Sequence, residues 1–188
     1  MCFYIGLLHY PVYNRNGEVI VSAITNLDLH DLARLTKTYG GRKFYVINPL
    51  PDQQELAKSI CRHWVSGHGA DYNKDRREAM SLISIASTLE ESLAEIQEIE
   101  GEMPTLIATD AGKGKRQRMT YALAREIVAS NRVVMILFGT AWGIAKELIG
   151  KVDHLLEPIV GVSYYNHLSV RTAAAITLDR LFSKFAKQ

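Results

Sequence analysis

Cysteine is scarce in this chain: Cys2 and Cys61 are its only two among 188 residues. They are too few and too isolated for a disulfide framework or a zinc site, and both are read as reduced structural thiols. Long apolar runs are missing as well. No segment reaches the roughly 18 to 20 residues that cross a bilayer. The opening MCFYIGLLHYPVY has neither the charged start nor the small-residue cleavage site of a secretory signal, and Pro11 cuts its apolar run short. A cytoplasmic protein with no membrane partner is expected. Charge of one sign is lacking too, since 22 Lys and Arg stand against 20 Asp and Glu, a net charge of +2. That balance demonstrates no nucleic-acid partner by itself.

Several chemical signatures are also absent. Neither GxGxxG nor GxxxxGK[ST] occurs, so no dinucleotide fingerprint or Walker loop is read. No GxSxG supports a serine hydrolase. His63 and His68 are five positions apart, which is wrong for HExxH, and Asp71 is the nearest carboxylate. No metal is expected.

What the chain does have is hydrophobic content of 47%, ample for one globular core, read here as a single domain over 1–188. The stretch Val133 to Gly143, VVMILFGTAWG, is a continuous apolar run that breaks into a glycine-bearing turn. Buried parallel strands read this way, and ligands bind beyond their carboxyl ends. Gly139 and Gly143 remove Cβ atoms where backbone would approach a small molecule.

Along the chain, residues 2–9 and 18–24 read as strands of a hairpin at the sheet edge. Further strands are expected at 43–47, 81–86, 104–109, 133–138 and 153–157. Helices are expected at 27–39, 52–67, 89–100, 116–130, 142–149 and 167–186. Asp52 with Glu55, and Thr88 with Glu91, have capping-box spacing. This alternation, without repeats or low-complexity segments, points to an α/β fold: a mostly parallel sheet with helices on both faces. Trp64 reads most simply as core, and Trp142 either as core or as a ring lying against a bound ligand.

Two basic clusters stand out: Lys113, Lys115, Arg116 and Arg118 in GKGKRQRM, and Lys74, Arg76 and Arg77 in YNKDRREAM. Each is either a phosphate contact or an ordinary solvated surface.

Three turns, at 108–112, 138–143 and 158–169, follow successive expected strands. With FGTAWG in the second and PIVGVSYYNHLSVRTAAAI in the third, the chain resembles the SPOUT class of S-adenosylmethionine-dependent RNA methyltransferases. It looks most like the bacterial branch that also occurs fused to tRNA guanine-N1 methyltransferase domains. The resemblance runs from about Phe3 to the last helix and rests on the order and spacing of the motifs.

That resemblance implies a C-terminal deep trefoil knot that cups the adenosyl group. It places Ala108 and Thr109 before the knot. Phe138, Gly139, Thr140 and Gly143 form the second loop; Leu156, Pro158, Ile159, Leu168, Ser169 and Val170 form the third. It further implies S-adenosylmethionine as cofactor and tRNA or rRNA as substrate. A homodimer is implied, seamed along the last helix through Leu168, Ala173, Ala174, Ile176 and Leu181, residues that are alternatively intramolecular core. Lys113, Lys115, Arg116, Arg118 and Arg34 would position RNA phosphates.

In the first helix, Asp28, Arg34, Tyr39 and Gly40 keep the spacing of the ribose-methylating type, with Asp28 where that type has Asn. His167 is a second departure, unless Asn166 takes its role. Transfer to a base is therefore as plausible as transfer to a 2′-hydroxyl. Methyl transfer needs an aligned nucleophile and no metal. A proton on the acceptor would go to Asp28, His30 or Asp31. Asp28 is alternatively a helix cap, and Arg34 alternatively a surface ion pair with Asp31. His9 either faces the same crevice or is a satisfied structural histidine. The competing reading is a non-catalytic RNA-binding module that keeps the fold.

Overall fold

The computed structural model describes residues 1–112, 117–130, 132–163 and 165–183. In chain order, the first half holds β1 (Cys2–Leu8), β2 (Val12–Tyr13), β3 (Val19–Ile20), α1 (Asn26–Tyr39), β4 (Phe44–Ile47) and α2 (Pro51–Val65). Then come α3 (His68–Tyr72), α4 (Lys74–Met80), β5 (Ile83–Ala86) and α5 (Leu89–Glu100). The second half holds β6 (Thr105–Ala108), α6 (Tyr121–Ala129), β7 (Val133–Gly139), α7 (Lys146–Ile149), β8 (His154–Leu155) and α8 (Val170–Phe182).

The main sheet is six-stranded and runs β5-β4-β1-β7-β6-β8, with every neighbouring pair parallel. Alternation along its two central strands explains their apolar runs. Phe3, Ile5 and Leu7 of β1 and Val134, Ile136 and Phe138 of β7 point to one face, against Leu29 and Leu32 of α1 and Leu178 and Leu181 of α8. Tyr4 and Leu8 of β1 and Val133, Met135 and Leu137 of β7 point to the other, against Ile96 of α5 and Leu148 of α7. Each large side chain so buried contributes roughly 1.5–3 kcal/mol. A strand covered on both sides must be apolar at every position, which is what VVMILF provides.

Three expectations are corrected here. Residues 2–9 are not an edge hairpin strand, because β1 sits between β4 and β7. Residues 18–24 contribute only Val19 and Ile20, which pair antiparallel with β2 in a separate two-stranded ribbon. The expected helix over 142–149 shrinks to Lys146–Ile149, since the amides of Trp142 and Ala145 donate to Tyr13 O and Pro11 O of that ribbon. Along the last helix, Ala174 and Leu181 take the intramolecular reading, as part of the core. The last residues of the expected 167–186 helix lie outside the described residues.

Local signals set the helix ends. Thr25 caps α1 by accepting the Asp28 amide, and Gly40 closes it at φ 77°. Thr88 caps α5 as its spacing predicts, whereas α2 begins with Pro51 and has no side-chain cap. The segment 68–80, for which no helix is expected, forms α3 and α4, with Asn73 capping the second.

Candidate functional site

Strand order reverses at β1 and β7: the chain proceeds to β4 and β5 on one side, and β6 and β8 lie on the other. Such a switch point opens a crevice at the carboxyl ends of the strands. A cavity of about 540 Å³ lies there, lined by the segments after β1, β6, β7 and β8. That volume suits a cofactor-sized ligand.

The wall after β7 is a tight turn. Thr140 donates its amide to Leu8 O, and Gly143 donates back to Thr140 O. Ala141 is held at φ 52° and Gly143 at φ 101°, the left-handed region that favours glycine. A Cβ on Gly139 would fall 2.6 Å from Ile144 Cγ1 and 2.9 Å from the Ile144 amide nitrogen. The reason for Gly139 is therefore corrected: it makes room for the chain's own return, not for a ligand. Phe138, Gly139, Thr140 and Gly143 all line the cavity. So does Trp142, which is 61% exposed and not core.

The wall after β6 is clamped by Arg118. Its guanidinium donates to the Asp110 carboxylate at 2.8 Å, to Asp110 O at 3.2 Å, to Leu156 O at 3.3 Å and to Gly112 O at 2.5 Å. With its side chain 14% exposed, Arg118 is committed to bracing Asp110 to Gly112 and does not present a free cation to RNA. Lys113, Lys115 and Arg116 lie outside the described residues. Thr109 lines the cavity, while Ala108 does not. Ala108 is fully buried and accepts the Leu156 amide at 2.9 Å, so Leu156 too lies behind the wall.

The third wall contains Pro158, Ile159, Leu168, Ser169 and Val170. Ser169 caps α8 by accepting the Thr172 amide, and the Glu157 carboxylate accepts the Tyr121 amide at the start of α6. Asn166 and His167 both reach the cavity.

From α1, only Asp28 of the three expected catalytic residues lines the cavity. It is 6% exposed. Its Oδ1 accepts from Arg171 at 3.0 Å, and its Oδ2 accepts the Thr25 hydroxyl at 2.6 Å. Arg171 also pairs with Asp31 at 3.3 Å. Asp28 is thus neither the cap, which is Thr25, nor an unpartnered carboxylate. Arg34 is exposed, does not line the cavity and makes no ion pair with Asp31. His30 points away, its ring edge-on to Trp64 at 5.2 Å. Burial, followed by the charges of Arg76 and Arg34, lowers its pKa against the opposing pull of Asp31. Trp64 packs on the core as expected, though half-buried.

Neither His9 nor Arg171 lines the cavity, so His9 does not face the crevice; each instead contacts residues that do. His9 is fully buried, with Nδ1 2.9 Å from Ser22 Oγ, which lies 2.5 Å from Thr140 Oγ1. Thr140 spends its hydroxyl proton on Leu8 O. Ser22 must then donate to Thr140 and His9 Nδ1 to Ser22, which assigns the Nδ1–H tautomer from the network. Burial pushes the His9 pKa down to about 4, although the Asp28 charge pulls the other way. A histidine at the end of an apolar strand was the available signal; nothing in LSVRTAAAI marked Arg171 as the partner of Asp28. Both cysteines are free, and burial raises their pKa values, that of Cys61 to about 11. Among the described residues no group of His, Cys, Asp and Glu could hold a metal, and no helix is long and apolar enough to cross a membrane.

Comparison with known proteins bears on this site. The sequence profile of the family described as SAM-dependent RNA methyltransferase matches residues 2–183. A tRNA (guanine-N(1)-)-methyltransferase of Oleidesulfovibrio alaskensis is 40% identical over 178 residues, covering 95% of this chain and 41% of that protein. The chain therefore spans about two fifths of that relative's length. An uncharacterized protein of Aquifex aeolicus is 39% identical over 96% of this chain and 88% of its own length. Among solved structures, an AdoMet-bound rRNA methyltransferase from Sinorhizobium meliloti aligns with TM-score 0.57 at 15% identity, over 95% of this chain and 55% of that one. The TrmH/SpoU tRNA modifying enzyme of Aquifex aeolicus aligns with TM-score 0.54 at 13% identity, over 99% and 76%. These structural likenesses show the fold.

Proposed function

The chain belongs to the family of SAM-dependent RNA methyltransferases, and from that premise we propose that it binds S-adenosylmethionine in the switch-point cavity and methylates RNA, tRNA first among candidates. One observation carries this reading. The cavity opens at the carboxyl ends of the central strands, apolar groups such as Phe138, Pro158, Ile159 and Leu168 stand on its walls, and no Lys or Arg among the described residues lines it. Of its three carboxylates, Asp28 and Asp110 are paired with Arg171 and Arg118, and Glu157 makes no ion pair among the described residues. A ligand with a flat apolar ring meets apolar walls there, and no cation lines the cavity to hold the phosphates of a phosphate-bearing cofactor.

When bound, S-adenosylmethionine supplies an electrophilic methyl group. The residues of this chain then supply placement. The turn at 138–143, braced by the ribbon, and the segment 157–170 close on the ligand from two sides. Both oxygens of Asp28 are held, by Arg171 and Thr25, so this carboxylate is fixed in direction and suited to hold a hydrogen-bond donor of the acceptor nucleotide. The acceptor is a base nitrogen or a ribose 2′-hydroxyl.

The same proposal includes action as a single domain in the cytoplasm, the deep knot around 138–170, and a homodimer. Trp142, Val160, Val162, Tyr165 and Leu168 are exposed on the segments that form the cavity, and such apolar surface supports a self-contact there.

The test is transfer of a labelled methyl group from S-adenosylmethionine to bulk tRNA and, separately, to rRNA, followed by nucleoside analysis to tell base from ribose. Incorporation into tRNA, lost in Gly143→Trp, is expected. RNA binding with no incorporation into either RNA would replace this proposal with the non-catalytic RNA binder.

A further inference from the structure

The exposed face of α1 and the helix α4 beside it carry a cation cluster outside the cavity. The Lys37–Glu78 ion pair, at 3.0 Å, ties the two helices together. Arg34, Lys74, Arg76 and Arg77 make no ion pair among the described residues. Asp31, the acid nearest Arg34 on α1, is taken by Arg171. Asp75 is the remaining acid at the start of α4.

Arg76 is half-buried and sits over the Trp64 ring, its Cζ 4.5 Å from the ring centroid. His30 and His63 meet the edges of the same ring at 5.2 and 5.1 Å. A guanidinium fixed in this way loses little side-chain entropy when it grips a second group. Both Arg76 and Arg34 push His30 toward its neutral form, so both lie within electrostatic reach of one ring. Like charges gathered in excess of their counter-ions cost folding energy, and a polyanion relieves that cost.

The position is suited to the substrate. Asp28 lines the cavity, and Arg34 lies six residues further along the same helix, a rise of about 9 Å and about a third of a turn around its axis. An RNA whose target nucleotide sits at Asp28 would reach this face by running its neighbouring phosphates around α1.

We propose that Lys74, Arg76 and Arg77 of α4, beside Arg34, dock the phosphate backbone of the substrate RNA. The inference rests on the RNA reading above. Contacts of this kind set register and affinity and carry no sequence preference.

The experiment measures the Kd of the full chain for bulk tRNA between about 50 and 200 mM salt, with S-adenosylhomocysteine affinity measured in parallel. Two variants are used: Lys74→Gln with Arg76→Gln and Arg77→Gln, and Lys74→Gln with Arg77→Gln, which leaves Arg76 on Trp64. The triple variant is expected to bind tRNA about tenfold more weakly, with a salt slope smaller by about 2, and to bind S-adenosylhomocysteine as the wild type does. The double variant should fall between. Wild-type tRNA affinity and salt slope in both variants would overturn the proposal. No tRNA binding by the wild type, with S-adenosylhomocysteine still bound, would overturn the RNA reading itself and this face with it.

Discussion

A buried neutral histidine behind a cavity wall ties stability to pH in a defined direction. His9 has its pKa pushed down to about 4 by burial, against about 6.5 in an unfolded chain. Above pH 6.5 neither state binds the proton and His9 contributes no pH dependence. As pH falls from 6.5 to about 4, the unfolded chain takes the proton first, and stability is lost by about 3 kcal/mol over that window. Denaturant midpoints at pH 7 and pH 4 should show this loss in the wild type and a smaller one in His9→Gln. Equal losses would remove His9 as the source. At Asp28, truncation of the partner is the sharper probe. Arg171→Met leaves a 6%-exposed carboxylate without its cation and should cost about 2 kcal/mol, since breaking a largely buried pair strands a charge. Asp28→Asn in the same background should recover part of that cost, read by a double-mutant cycle.

The turn after β7 is the element on which the site depends, and its glycines do different work. Gly139 is occluded by Ile144, so Gly139→Ala forces the turn outward. Overpacking of this kind costs about 1–3 kcal/mol, and S-adenosylhomocysteine affinity should drop by about tenfold, with far-UV circular dichroism unchanged. Unchanged affinity would mean that this turn does not shape the ligand site. The turn also shows what was legible in the sequence. VVMILFG reads as a strand covered on both faces because period-2 alternation carries no polar position when both sides are dry. Its carboxyl end reads as a ligand turn because glycines follow. The ribbon was misread as a sheet edge, since strands at 2–9 and 18–24 with a polar turn between them look alike whether they pair with each other or not. What decides the matter is the seven-residue parallel register of β1 with β7, a contact 131 positions apart in sequence that no local pattern reports.

At the scale of the whole molecule, the α/β class was legible because strands, turns and apolar runs have periods and turn chemistry of their own, and ten of the twelve cofactor residues implied by the family resemblance line the cavity. Charge pairing was not. Spacing on α1 suggested an Asp31–Arg34 pair, whereas Asp31 faces Arg171 from α8, and Arg118 turned inward to brace Asp110. Side chains that reach across elements choose partners by tertiary geometry, so functional assignments from sequence hold better for backbone turns than for cations. The exposed apolar groups at Trp142, Val160, Val162, Tyr165 and Leu168 carry the dimer proposal at this scale. Trp142→Ser with Val162→Ser is expected to lower the sedimentation coefficient from that of a dimer toward that of a monomer; a wild type already sedimenting as a monomer would contradict it.

The central claim is that the switch-point cavity holds the adenosyl cofactor, and calorimetric titration of the purified protein with S-adenosylhomocysteine tests it most directly, because a stable product avoids turnover. The account predicts saturable heat near one site per chain, greatly reduced in Gly143→Trp. No heat and no thermal stabilisation up to millimolar ligand would contradict it.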